Sequence, residues 1–262
     1  MQRIAERLPL SLVVITRDAA DAVAECIRSA AFAAEALVVD SGSRDDTVKI
    51  ARDCGARVVE HAWLGFGAQK RFAVGEAAHD WVLCLDADER VSPDLAQSIA
   101  SVFSRPPHAP AYALRRRNRF LGRWLAHGEG YPDWNVRLFD RRRAQWTADP
   151  VHEHVVADGP VERLAGDLLH ASAESIDEYI AKQNRYTTLQ AQAMHARGER
   201  APAMRVALSP LARFLRFYVL KAGFLDGVPG FAHVTIGAFA SFMKYVKLRA
   251  LDERPRPDER ER

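Results

Sequence analysis

The feature that most constrains this chain is a series of four short, largely apolar runs, each closed by polar residues and followed by a stretch of helical period. Residues 10–15 read Leu-Ser-Leu-Val-Val-Ile, 36–39 Ala-Leu-Val-Val, 57–59 Arg-Val-Val and 81–85 Trp-Val-Leu-Cys-Leu. Runs of this length rich in β-branched residues are buried strands, and the segments 18–31, 45–54 and 69–78 between them read as helices. Asp18 is expected to cap the first helix and Asp45 or Asp46 the second, which Gly55 ends as a left-handed C-cap. Strands alternating with helices predict an α/β fold of Rossmann-like kind, its sheet mainly parallel and covered on both faces. Ligands of such sheets bind beyond the carboxyl ends of the strands. Thr16, Arg17 and the segments 40–43 and 86–89 are therefore the first site candidates.

The remainder of the chain is less regular. Pro93 opens a further helix, 104–110 breaks the chain, and 111–114 is another strand. The text from 115 to 160, rich in Arg, Trp and Gly, reads as loop-built. From 175 to 251 the period is helical, interrupted at Pro202, at Pro210 and at 227–230. The tail 252–262, almost wholly charged or proline, is expected to be disordered. This divides the chain into a domain at 1–172, itself in halves 1–90 and 91–172, then a helical region 173–251 and the tail.

Composition removes several classes. A formal charge of +3 over 262 residues is too small to imply nucleic acid. Three cysteines far apart, without a CxxC pair, argue against a disulfide framework or a zinc site and for a reducing, cytoplasmic compartment. The apolar run at 8–15 lacks a cleavage signal, and the longest apolar stretch, 231–243, is too short to span a bilayer.

The sharpest local signal is Asp86-Ala87-Asp88 directly after the fourth strand. Alternate residues in an extended segment present both carboxylates to one side. Two hard oxygen ligands suit Mg²⁺ or Mn²⁺, which leave positions open for phosphate oxygens. Without a cation, two such close acids repel.

With these residues in order, the sequence resembles glycosyltransferase family 2. The matching text is 11–16 Ser-Leu-Val-Val-Ile-Thr, 38–47 Val-Val-Asp-Ser-Gly-Ser-Arg-Asp-Asp-Thr and 81–90 Trp-Val-Leu-Cys-Leu-Asp-Ala-Asp-Glu-Arg. The resemblance implies a GT-A fold with a C-terminal helical region. It also implies a UDP-sugar donor whose base meets Asp40 beside Thr16 and Ser41, and a DxD metal site at Asp86 and Asp88. A narrower likeness, to lipopolysaccharide inner-core glucosyltransferases, rests on Gly67-Ala-Gln-Lys-Arg71, on 131–139 Tyr-Pro-Asp-Trp-Asn-Val-Arg-Leu-Phe, on Val151-His-Glu153 and on Gly223-Phe-Leu-Asp-Gly227. It implies transfer of glucose to a glycolipid core at the inner face of the membrane. Asp18 stands where relatives often have Asn.

An inverting transfer needs a base for the acceptor hydroxyl. Glu153 is the candidate and Asp133 the reserve. For a third metal ligand His152, His154 and His170 compete, with His170 fitting best the C-terminal histidine of GT-A enzymes. Lys70 and Arg71 are candidates for the donor phosphates, and Trp134 and Arg137 for the substrate. Dense arginines at 115–123 and 141–143 suggest an anionic acceptor or leaflet. The helices at 213–224 and 231–248, apolar with interspersed Lys and Arg, suit membrane-interface binding, packing on the catalytic domain or self-association. The rival readings are a polyprenyl-phosphate or other cell-envelope glycosyltransferase and a non-catalytic nucleotide-sugar-binding scaffold.

Overall fold

The apolar runs become four neighbouring strands of one sheet, the run 57–59 at its edge. The structure, a computed structural model, describes residues 7–147, 153–171 and 175–253. They fall into two compact units, Met1–Arg119 with Pro132–Ser172 and Phe120–Tyr131 with Ala173–Arg262. In the first unit the chain runs β1 (Leu8–Thr16), α1 (Val23–Ser29), β2 (Ala33–Asp40), α2 (Thr47–Asp53), β3 (Arg57–Glu60), α3 (Phe66–Glu76), β4 (Trp81–Asp86), β5 (Glu89–Val91) and α4 (Pro93–Val102). After β6 (Ala111–Phe120) come β8 (Asp133–Asp140), β9 (Ala144–Trp146), β10 (Val155–Ala157) and β11 (Val161–His170), while the short β7 (Arg123–Trp124) belongs to the second unit. The sheet order is β3-β2-β1-β4-β8-β6-β11-β5. Its first four strands are parallel, β8 lies antiparallel between β4 and β6, and β6 pairs β11 in parallel.

Both faces of the sheet are buried, and the alternation of side chains shows it. Leu12, Val14, Val38, Leu83 and Leu85 pack with Val23, Ile27, Leu95 and Ile99 of α1 and α4. Val13, Leu37, Val39, Val82 and Cys84 point the other way, toward Ala73 and Val74 of α3 and toward Trp146 and Val155. Each fully buried Val or Leu is worth about 1.5–3 kcal/mol of transfer free energy, so this double-sided core holds the strand ends in place. Hence β1, β2 and β4 finish level: Thr16 is in register with Asp40, and Ile15 with Asp86.

Two local expectations are corrected. The region 115–160 is not loop-built, since it contains most of β6 together with β8, β9 and β10. Its arginines obscured the strands. Arg115 pairs with Asp167 at 2.8 Å and Arg116 with Asp133 at 2.8 Å, so acids on neighbouring strands neutralise them. Arg141 donates to the carbonyls of Val74, Gly75 and Ala77 at the end of α3, and Arg142 pairs with Asp140 and Asp80. Asp18 does not cap α1, whose N-cap is Ala22. With φ 51° it accepts from the Arg44 amide at 2.7 Å, tying the β1–α1 loop to the β2–α2 loop, as a short carboxylate in the left-handed region does. At α2 the N-cap is Asp46, without a side-chain bond, while the Asp45 carboxylate accepts from the Thr47 amide at 3.0 Å and the Ala20 amide at 3.0 Å.

The second unit is helical: α5 (Ile176–Ala196), α6 (Ala203–Phe214) with a π-helical continuation Leu215–Leu220, a 3₁₀ turn Gly223–Asp226, and α7 (Gly227–Asp252). Ser175 and Glu178 form a capping box at the start of α5. Asp226, 1% exposed, accepts from the amides of Ala126 and His127. The residues Gly223-Phe-Leu-Asp-Gly227 therefore serve the packing of this unit. A side chain at Gly230 would meet the Gly223 carbonyl oxygen at 2.3 Å.

Candidate active site

The carboxyl ends of β1, β2 and β4 carry the polar cluster. At the β2 end Asp40 accepts from the Thr16 hydroxyl at 2.9 Å, from the Gly42 and Ser43 amides at 3.0 and 2.8 Å, and from the Ser43 hydroxyl at 2.5 Å. A carboxylate with four donors is saturated, so it shapes the 40–43 turn, in which Gly42 takes φ +82° at no steric cost. Ser41 accepts from Gln69 of α3 at 3.0 Å.

At the β4 end the two aspartates part company. Asp86 Oδ1 lies 3.1 Å from Lys70 Nζ, and Asp86 Oδ2 lies 2.7 Å from Arg137 Nη2. The same Arg137 nitrogen reaches Glu89 Oε1 at 2.8 Å, and Arg116 approaches Glu89 at 3.7 Å. Glu89 is fully buried and Arg137 nearly so. Burial works to raise the Asp86 carboxyl, yet the charges of Arg137 and Lys70 hold it well below the usual carboxylate range. Burial pushes Glu89 up beyond what Arg137 offsets. Burial also works against the Arg137 charge, but Asp86 and Glu89 keep that guanidinium firmly protonated. Sequence reasoning placed Arg137 near substrate. The structure buries it, bonded to Asp86 and Glu89 and 5.8 Å from the Trp146 ring.

Asp88 has a different partner. Its Oδ2 lies 3.1 Å from His170 Nε2, and His170 Nδ1 lies 2.8 Å from Asn118 Oδ1. Burial would raise the Asp88 carboxyl, but the hydrogen bond and charge of His170 outweigh it and lower it. Three strands make this meeting: His170 ends β11 in register with Asn118 of β6 and with Glu89 of β5, and the Ala171 amide donates to the Asp88 carbonyl at 3.1 Å. β11 reaches the position through a bulge between Arg163 and Asp167. There Gly166 has φ +90°, and a Cβ would fall 2.3 Å from the Leu95 amide nitrogen. Asn118 escaped sequence reasoning, since nothing in its neighbourhood distinguishes it from other polar strand residues.

Among the remaining candidates, Glu153 Oε1 lies 3.3 Å from Lys70 Nζ, so Lys70 bridges Glu153 and Asp86. Asp133 is tied to Arg116, and Trp134 lies against the Arg163 guanidinium at 4.8 Å. Arg71 donates to Gln145 at 3.1 Å and does not join the carboxylates. His152 lies outside the described residues.

Among the described residues no three His, Cys, Asp or Glu side chains converge as a ready metal cage. Asp88 and His170 nevertheless suit a divalent ion that keeps waters and phosphate oxygens for most of its shell. With Nδ1 held by Asn118 Oδ1, a bound ion would take the place of the proton between Nε2 and Asp88, as in an oriented metal-ligating histidine.

The chain is similar to known proteins. Residues 11–157 match the family model described as glycosyl transferase family 2, and the chain belongs to that family. The lipopolysaccharide core biosynthesis glycosyltransferase LpsC of Rhizobium meliloti is 30% identical, with 97% of each chain covered. An uncharacterized glycosyltransferase of Rickettsia prowazekii is 31% identical over 92% of this chain and 87% of its own. A mannosyltransferase from Pyrobaculum calidifontis, solved with GDP-Man and Mn²⁺, superimposes over 95% of this chain and 88% of its own at a TM-score of 0.52 and 18% identity. The fold is therefore GT-A. Among the described residues no helix is long and apolar enough to cross a membrane.

Proposed function

We propose that this family 2 glycosyltransferase moves a glucosyl unit from UDP-glucose onto a lipopolysaccharide-core glycolipid, with inversion, at the inner face of the membrane. The observation that carries the catalytic part is the Glu153–Lys70–Asp86 chain of contacts beside the Asp88–His170 pair, at the carboxyl end of β4. The glycolipid acceptor is supported by the likeness to LpsC over nearly the whole chain.

Thr16, Ser41 and the turn held by Asp40 form the corner for the nucleotide base. Asp88 and His170 hold Mg²⁺ or Mn²⁺, with Asp86 beside them. Such an ion neutralises charge on the diphosphate leaving group. Glu153 takes the proton of the acceptor hydroxyl as that oxygen bonds to the anomeric carbon and the bond from that carbon to the diphosphate oxygen breaks, releasing UDP. Lys70, released from one of its two carboxylates, would meet donor phosphate, and Asp133, paired with Arg116, is the reserve base. Trp134 offers a ring face to a sugar. Arg137 supports the site through its bonds to Asp86 and Glu89.

The test is incubation of the purified protein with UDP-glucose, UDP-galactose or GDP-mannose and core glycolipid from a strain lacking the gene, with product linkage determined by mass spectrometry and NMR. Glucose transfer with a β linkage is the expected result. Transfer to polyprenyl phosphate in its place would establish the rival cell-envelope reading, and donor binding without transfer or hydrolysis would establish a scaffold.

A further inference from the structure

Helix α6 is inside out. Leu208, Leu211 and Leu215, spaced to fall on one helical face, are 52%, 55% and 48% exposed, and no residue of α6 is buried. Of its polar residues, Arg213 is half-buried and pairs with Glu129 and Ser209 meets Ser241, whereas Arg205 is exposed. At the tip where α6 gives way to α7, Leu220 is 80% and Val228 76% exposed, and farther along α7 Phe239 is 58% exposed. Packing of α6 against α7 thus leaves large apolar side chains of both helices exposed, in a number that an ordinary surface does not require.

The charges around it are of one sign. From residue 203 to 251 there are seven Lys and Arg and a single acid, Asp226, whose carboxylate is taken up by the Ala126 and His127 amides. Arg216 and Lys221 are exposed beside the apolar tip. Their long stems can lie along apolar surface with the charged heads directed at anionic groups. A two-fold contact between copies would bring the same cations against one another with no acid to pair them.

We propose that the face of α6, its π-helical continuation and the adjoining side of α7 lies in the interface of an anionic lipid bilayer, Arg216 and Lys221 engaging headgroup phosphates. The proposal rests on the reading above that the acceptor is membrane-borne. Interfacial helices of this kind bind through buried apolar area together with attraction to anionic lipid, and they do not span.

The test is flotation of the full chain with vesicles of phosphatidylglycerol and phosphatidylcholine in equal parts, or of phosphatidylcholine alone. The wild-type protein is expected to float with the anionic vesicles, and salt at about 0.5 M is expected to weaken that binding. Leu211→Glu with Leu215→Glu should reduce the bound fraction about tenfold or more with an unchanged thermal melt, since these side chains pack on little else. Arg216→Gln with Lys221→Gln should cost roughly 30-fold on anionic vesicles and little on neutral ones. Failure of the wild type to float, indifference to lipid charge, or conversion of a dimer to a monomer by Leu211→Glu with Leu215→Glu would each overturn the proposal. UDP release from UDP-glucose without lipid is measured in parallel. Intact release with no flotation defeats the surface alone, whereas flotation without release or transfer defeats the enzymatic reading and leaves the surface standing.

Discussion

His170 Nε2 stands 3.1 Å from Asp88 Oδ2, and its other ring nitrogen is held at 2.8 Å by Asn118. If this pair holds the ion, His170→Ala should weaken Mn²⁺ affinity, measured by the electron paramagnetic resonance of free Mn²⁺. Asn118→Ala should weaken it by about 10–100-fold through loss of ring orientation. Unaltered Mn²⁺ affinity in both variants would remove His170 from the metal site.

Glu153→Gln keeps the shape of the side chain but cannot accept a proton. Turnover should fall on the order of 10²- to 10⁴-fold while UDP and Mn²⁺ affinities persist. Parallel loss of Mn²⁺-dependent UDP binding would make Glu153 a ligand, and near-normal turnover would shift the base to Asp133 or His154.

Gly166→Ala tests the bulge that delivers His170. The variant must hold φ near +90° and clear a backbone nitrogen 2.3 Å away, so it should lose at least about 2 kcal/mol of unfolding free energy in urea. A stability within about 0.5 kcal/mol of wild type would show that β11 reaches Asp88 by another route.

Acid should weaken the sheet at Glu35, remote from the site. Burial works to raise this carboxyl, but bonds from the Ser11 hydroxyl, the Ala78 amide and Arg57 lower it below its ordinary value. A carboxyl depressed in the folded state contributes stability above its unfolded value of about 4.3 and loses it as the pH falls through the folded value. Thermal melts of the wild type should therefore drop more steeply below about pH 4 than those of Glu35→Gln. Parallel pH profiles for the two proteins would assign the acid sensitivity elsewhere.

The sequence alone determined the parallel half of the sheet and the level at which its strands end. The reason is that a run such as 81–85, apolar at every position, is stable only when covered on both faces, and the first polar residue after it marks the rim. Asp86 and Asp88 were legible for this reason as a pair. The second half of β6 and the whole of β8 were not, because their arginines are neutralised by acids on other elements, Arg115 by Asp167, Arg116 by Asp133 and Arg137 by Asp86 and Glu89, and such charge pairing leaves no local period. Only the tertiary structure separated the roles of the two aspartates, giving Asp86 to Lys70 and Arg137 and Asp88 to His170. Likewise it alone decided which face of α6 meets solvent. The 3.6-residue period of Met204, Leu208, Leu211 and Leu215 states that one side is apolar, but whether that side is covered depends on what the chain packs against it, and here those residues are exposed while Arg213 is half-buried against Glu129.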